Sequence, residues 1–222
     1  MSLQEQSWEK AFQECCAFWR HPGSLDCPFV RLRSGLISDG FFNGGKVQEN
    51  DPALLMEAAH TLRIRARESG YMNNGTRVVG AAEGATVFSA FLAADARLKS
   101  AYAVPVDDTK EEFVFRRADI DNGETLLLAE DTITTGDTIN KVETAALRAA
   151  TVRFAPVVLA LCNRSGSDHL GTRPIMSLIR PSFKVWKEGE NPYTKDGAEV
   201  LPPIEAKGRE NWAILTRSYQ PA

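Results

Sequence analysis

Two adjacent carboxylates, Glu130 and Asp131, follow an apolar run and precede a loop of hydroxyl residues and glycine. The segment 126–140 reads LLLAEDTITTGDTIN. Its first four residues predict a buried strand, with the carboxylates at its C-terminal end, and residues 137–149 predict a helix. Between them lie Thr134, Thr135, Gly136, Asp137 and Thr138. A loop running into a helix N-terminus offers free backbone N–H groups to an anion. Gly136 lets the backbone approach closely, and the threonine hydroxyls add donors. That chemistry suits a phosphate. The two carboxylates repel phosphate, so they suit a hydroxyl-bearing or cationic neighbour, such as a ribose diol with or without Mg²⁺. Phosphate on one side and a diol on the other describes ribose 5-phosphate.

The elements around this segment must hold it in place. Strand-like and helix-like patterns alternate: strands at 77–80, 101–105, 112–116, 154–161 and 175–179, helices at 51–69 and 85–97. Such alternation predicts an α/β fold with a mostly parallel central sheet covered by helices on both faces. In open sheets of this kind ligands bind outside the carboxyl ends of the strands, where the Glu130–Asp131 pair falls. Asp51-Pro52 supplies an N-cap and a first-turn proline for the helix ending at Gly70. Residues 7–20 space Trp8, Phe12, Cys15, Cys16 and Trp19 as one face of a helix. Residues 29–32 and 40–43 read as two short strands or a hairpin about Ser34-Gly35. Residues 188–208, rich in Gly, Pro and charge, read as surface loop.

The 222 residues predict a single domain: an N-terminal helix and hood over 1–50, an α/β core over 51–180 and an appendage over 181–222. A hydrophobic content of 43% and a charged content of 25% are those of a globular protein. A net charge of −3 argues against non-specific nucleic-acid binding, so any anion site is local. The four cysteines form no C-x-x-C pair, and the three histidines lack ligand spacing. The opening MSLQEQSWEK has no apolar stretch of a signal peptide, and residues 80–96 are too short to span a bilayer. The expectation is a soluble cytoplasmic protein with no membrane partner. The Walker pattern is absent.

The run EDTITTGDT resembles the signature by which type I phosphoribosyltransferases bind 5-phosphoribosyl 1-pyrophosphate (PRPP). The resemblance implies that fold, with a small hood built from both termini. It makes Glu130 and Asp131 the holders of the ribose hydroxyls and the loop Thr134, Thr135, Gly136, Asp137 and Thr138 the cradle of the 5-phosphate. Thr132 stands where an apolar residue is usual. VGAAEGA at 79–85 resembles the family's pyrophosphate loop, which makes Ala82, Glu83 and Gly84 PRPP-binding and sets the Glu83 carboxylate beside an anion. RLRSGLISDGFFNGG at 31–45 and LCNRSG at 161–166 are similar to segments of the orotate enzymes. They imply a base pocket of Arg33, Phe41 and Phe42, with Arg164 facing a carboxylate on the base. Arg33 replaces a lysine there, and Asn163 an aspartate.

FVFRRADIDNG at 113–123 resembles the arm by which orotate enzymes bring basic residues to pyrophosphate, often across a dimer interface. Arg116 and Arg117 match its first two basic places, whereas Ile120 and Asn122 stand where a lysine and a histidine are usual. The short segment fits a short-loop branch. The stretch Asn191-Pro192-Tyr193-Thr194 lacks the cysteines of that branch's C-P-x-C pattern, so no metal knuckle is expected. The resemblance further implies a homodimer, Mg²⁺ carried by PRPP with Asp131 as a candidate ligand, and catalysis through Glu130, Asp131, Arg116 and Arg117. Three functions stay open at this point: transfer of ribose 5-phosphate from PRPP to orotate, transfer to another base, and non-catalytic sensing of PRPP or a nucleotide.

Overall fold

The computed structural model describes residues 3–73, 75–190, 201–206 and 208–217. Helix α1 (Leu3–Glu14) leads to β1 (Phe18–Arg20), β2 (Val30–Arg31), β3 (Ile37–Ser38) and β4 (Gly40–Phe42). Two helices follow, α2 (Gly44–Asn50) and α3 (Pro52–Glu68). The chain then alternates through β5 (Thr76–Ala81), α4 (Thr86–Ala96), β6 (Lys99–Pro105), β7 (Phe113–Val114) and β8 (Thr125–Ile133). Next come α5 (Asp137–Ala149), β9 (Arg153–Asn163), β10 (His169–Leu170) and β11 (Arg173–Ile179). The last described elements are β12 (Val185–Trp186), β13 (Ile204–Glu205) and α6 (Arg209–Leu215).

The main sheet has seven strands in the order β10-β11-β9-β8-β5-β6-β7. Its five central strands are parallel, and the short edges β10 and β7 are antiparallel. Side chains alternate across a strand, so β8 serves both faces. Leu127 and Ala129 join Leu55, Leu62, Phe88 and Leu92 beneath α3 and α4. Leu126 and Leu128 join Ile139 and Val142 beneath α5. Burial on both faces is why these strands read as continuous apolar runs. At the amino edge of the sheet, Arg77 on β5 makes a two-pronged bond to Glu124, at 2.8 and 2.9 Å. A second sheet, β12-β3-β2-β13, mixes N-terminal and C-terminal strands and forms the hood.

Three expectations need correction. Residues 7–20 are not one helix: α1 ends at Glu14, Cys16 takes a left-handed backbone with φ 58°, and 18–20 form β1. Helical spacing and extended burial cannot be told apart where apolar residues run consecutively, as they do from Ala17 to Trp19. The two N-terminal strands do not pair with each other. Val30–Arg31 pairs with Ile37–Ser38 around the Ser34-Gly35 turn, and Gly40–Phe42 pairs with Phe18–Arg20. The 188–208 stretch is not all loop, because Ile204 and Glu205 pair in parallel with Val30 and Arg31. The Asn191-Pro192-Tyr193-Thr194 stretch lies outside the described residues.

Other boundaries follow the sequence closely. Asp51 caps α3, its side chain accepting from the Leu54 N–H at 2.9 Å, with Pro52 in the first turn. That bond satisfies one of the helix's unpaired donors. Asp51→Ala is expected to lower unfolding free energy by about 1 kcal/mol. Urea unfolding checks this: the midpoint should fall while the slope stays unchanged.

Candidate functional site

The carboxyl ends of β5, β8 and β9 converge below the hood. β5 delivers Ala81 and the loop Ala82, Glu83 and Gly84; the Ala82–Glu83 peptide is cis. β9 delivers Asn163 and then Arg164, whose backbone N–H donates to the Ile133 carbonyl at 2.7 Å. β8 runs to Ile133, four residues beyond the apolar run that predicted the strand, and Glu130 and Asp131 lie within it near its C-terminal end. Pairing with β9 carries the ladder to the Ile133–Asn163 register.

Alternation along β8 separates the two carboxylates. Glu130 is only 7% exposed. Its Oε1 accepts from the Asp131 N–H at 3.2 Å, and its Oε2 is buried without a hydrogen-bond partner. Burial, followed by the charge of Asp131, raises its pKa well above the ordinary carboxylate range. Asp131 is half-buried and accepts from the Thr132 N–H at 2.7 Å. Its carboxylate is held between two glycines. A Cβ on Gly44 would lie 2.5 Å from Oδ2, and one on Gly84 would lie 2.6 Å from it. Neither position has space for a side chain.

Two cavities meet at Asp131. The first, of about 380 Å³, lies between the β5 loop, the segment after β6 and the start of α5; Ala82, Glu83, Gly84, Glu130, Asp137 and Thr138 are on its wall. The second, of about 530 Å³, lies under the hood against Phe41, Thr134, Thr135 and Arg164. Arg33 and Asp131 line both. Between Thr135 and α5, Gly136 has φ 79°, and a Cβ there would meet Leu170 at 2.1 Å. No side chain caps α5 at its N-cap, although the Asp137 N–H donates to Thr135 Oγ1 at 3.3 Å. This helix start therefore retains donors for an anion.

Arg164 sits between two rings, its guanidinium 5.4 Å from the Phe41 centroid and 5.1 Å from that of Phe183. Burial lowers its pKa from the ordinary value. No acceptor among the described residues takes a hydrogen bond from its guanidinium. A partly desolvated, forked donor facing a cavity suits a carboxylate or phosphate. Asn163 holds the turn behind it, donating to the Ser167 carbonyl at 2.8 Å and accepting from the Ser165 N–H at 3.0 Å.

The predicted base-pocket aromatics divide. Phe41 faces Arg164 and Trp212, whereas the Phe42 ring is 2% exposed and packs edge-on against Phe12 in the core. Adjacent strand residues point to opposite faces, so the Phe42 ring turns into the core although the residue lies on the wall of the second cavity with Phe41. Arg116 and Arg117 line neither cavity of this chain. Arg116 donates instead to the carbonyls of Pro105 and Val106. Sequence reasoning missed Thr109, Lys110, Glu111 and Lys141 in the first cavity and Ala206 in the second. It also missed Phe183 and Gly40, although Gly40 is where a Cβ would strike the Phe183 ring at 2.1 Å. The Lys141 spacing from Asp137, one helical turn, was a readable signal.

Among the described residues, no group of three or more His, Cys, Asp or Glu side chains could hold a metal ion. The hard oxygens of Asp131 and the orphaned Oε2 of Glu130 fit Mg²⁺ only as partners to an ion carried mainly by ligand oxygens. Among the described residues no helix is long and apolar enough to cross a membrane.

The buried Glu130 gives a test through pH. Its folded pKa is raised above 4.5, so the folded state holds the proton more tightly than the unfolded chain. Its contribution to stability is therefore complete below about pH 4.5 and is lost as pH rises towards the folded pKa. Glu130→Gln keeps the neutral form. Urea unfolding across pH should show the variant gaining on the parent above pH 4.5, with the two converging below it; a gap independent of pH contradicts this.

No family model matches the sequence, and no curated protein matches it. Solved structures do. The Leishmania donovani UMP synthase aligns with a TM-score of 0.57 at 13% identity, over 81% of this chain. This chain spans only 36% of that protein. Orotate phosphoribosyltransferase from Aeropyrum pernix aligns at 0.56 and 20% identity, over 78% of this chain and 93% of that one. Adenine phosphoribosyltransferase from Trypanosoma brucei, solved with AMP, pyrophosphate and ribose 5-phosphate, aligns at 0.54 and 12% identity, over 90% and 89%. With its mostly parallel seven-stranded sheet, flanking helices and hood, the chain has the type I phosphoribosyltransferase fold.

Proposed function

We propose that the chain binds PRPP and transfers its ribose 5-phosphate to orotate, giving orotidine 5′-phosphate and pyrophosphate. The observation that carries this reading is the meeting of two cavities at Asp131, one beside an uncapped helix start and one holding Arg164, whose guanidinium donates no hydrogen bond among the described residues. A phosphoribosyl ligand with a reactive C1 needs such a junction. The 5-phosphate takes the loop of Thr134, Thr135, Gly136, Asp137 and Thr138. Asp131 holds the ribose hydroxyls, and buried Glu130 supports it. The pyrophosphate lies in the first cavity, against Ala82, Glu83 and Gly84, and the base in the second, where Phe41 offers an aromatic face and Arg164 a forked donor. That a similar fold is described with ribose 5-phosphate, pyrophosphate and AMP supports the ligand class. The similar folds include both orotate and adenine enzymes, so the choice of orotate rests on Arg164.

In the reaction a ring nitrogen of the base forms a bond to C1 as the C1–O bond to pyrophosphate breaks, and the electron pair leaves with pyrophosphate. Positive charge develops on the ribose ring, which the Asp131 carboxylate stabilises from the strand end. Positioning does the rest, because no side-chain nucleophile is required. Mg²⁺, when bound with the ligand, neutralises pyrophosphate charge. The reading includes a homodimer, in which exposed Arg116 and Arg117 approach the partner's first cavity. Light scattering tests this, and a monomer contradicts it. The position of both arginines outside this chain's cavities favours a second reading, a non-catalytic sensor of the same ligand.

Pyrophosphate release with PRPP, Mg²⁺ and a panel of bases separates these readings. Orotate should be the best acceptor, uracil a poor one, and a sensor releases nothing with any base. Arg164→Ala is expected to raise the KM for orotate roughly thirtyfold, since an unpaired buried charge costs about 2 kcal/mol or more. Its PRPP affinity should stay nearly unchanged. A preference for a purine, or an Arg164→Ala variant with unaltered orotate use, overturns the orotate assignment.

A further inference from the structure

The wall of the first cavity carries more carboxyl groups than cations, whereas a pyrophosphate group needs net positive charge. Its cations are Arg33, Lys110 and Lys141. Lys141 is already committed, with Nζ 2.8 Å from Asp137 and 3.1 Å from Glu111, and it also donates to the Lys110 carbonyl at 3.0 Å. Asp131, Glu83 and the buried Glu130 add three further carboxyl groups. Glu83 stands out among them. It is exposed, lies on the β5–α4 loop, and has no hydrogen bond or ion pair through its carboxylate among the described residues. Its backbone is engaged, the carbonyl accepting from the Thr86 N–H at 3.2 Å. The side chain therefore does nothing for the fold that these contacts reveal. Its neighbour Gly84 touches Asp131, so an anion entering beside Asp131 comes close to an unneutralised Glu83.

We infer that Glu83 is a selectivity residue that discriminates against the 1-pyrophosphate group, so that the site holds ribose 5-phosphate and nucleoside 5′-monophosphates in preference to metal-free PRPP. This rests on the phosphoribosyl reading of the site. The physical cause is repulsion between like charges at short range, with Glu83 exposed on the wall the pyrophosphate would approach. The effect belongs to the first cavity alone. The 5-phosphate lies at the start of α5, on the other side of Asp131 from the Ala82–Gly84 loop that carries Glu83, and the base lies under the hood. A divalent cation bound to pyrophosphate removes most of the charge that Glu83 opposes, so the discrimination relaxes in Mg²⁺.

Calorimetric titration of PRPP and of ribose 5-phosphate, in chelator and in Mg²⁺, tests this on the parent, Glu83→Gln and Glu83→Lys. Removing the charge should tighten PRPP binding tenfold or more in chelator, equivalent to about 1.4 kcal/mol, with a smaller gain in Mg²⁺. Glu83→Lys should gain more than Glu83→Gln. Ribose 5-phosphate should stay within twofold in every variant. The inference is overturned if both variants stay within threefold of the parent for PRPP, or if ribose 5-phosphate shifts as much as PRPP does. Failure of both ligands to bind any variant, each with a parental thermal unfolding curve, instead removes the phosphoribosyl reading and this inference with it.

Discussion

Close packing around one carboxylate organises the molecule. Asp131 sits at the end of the central strand with glycine backbone on either side, and neither Gly44 nor Gly84 could carry a side chain without striking it. Gly84 is there because β5 pairs in parallel with β8 and its outgoing loop must turn beside it. Gly44 is there because the N-terminal chain crosses the carboxyl edge of the sheet before starting α2. A rigid sheet and a rigid helix start therefore fix the same anion from opposite sides. Its exposed remainder faces both cavities, which is why they meet there rather than open separately.

The electrostatics follow from that position. Two carboxylates adjacent in sequence cannot both be well solvated on one strand, because alternation turns one inward. Glu130 takes the inward side and is pushed towards its neutral form, leaving Asp131 as the charge at the junction. Opposite charge comes from a different element. Arg164 follows β9, and its guanidinium is held by Phe41 and Phe183 rather than by a carboxylate. Rings position it without neutralising it, so its hydrogen-bonding capacity is directed at the cavity. Gly40 makes this possible by leaving room for the Phe183 ring.

The parts of this arrangement that were legible in the sequence are those with local causes. The strand–acid pair–glycine loop–helix order of residues 126–149 has one periodicity change and one φ-permissive residue, and α5 begins at the predicted Asp137. The Asp51 cap is equally local. What could not be read depends on distant packing. Phe41 and Phe42 look equivalent in sequence, and only the β1–β4 pairing decides which ring enters the core. The extension of β8 through Ile133 depends on its ladder with β9. Lys110 and Ala206 reach the cavities, and Phe183 reaches the Arg164 guanidinium, from segments remote from the signature. No short-range pattern announces a residue whose role is set by what folds against it.

The central claim is that the Asp131 junction orients a phosphoribosyl group, with its 5-phosphate at the start of α5 and its C1 towards the point where the cavities meet. A crystal structure of the protein with ribose 5-phosphate tests it most directly. The account predicts the phosphate against the backbone N–H groups of residues 134–138 and the ribose hydroxyls on Asp131. Phosphate bound against residues 82–84 or on the Arg164 guanidinium, with the ribose hydroxyls away from Asp131, contradicts it.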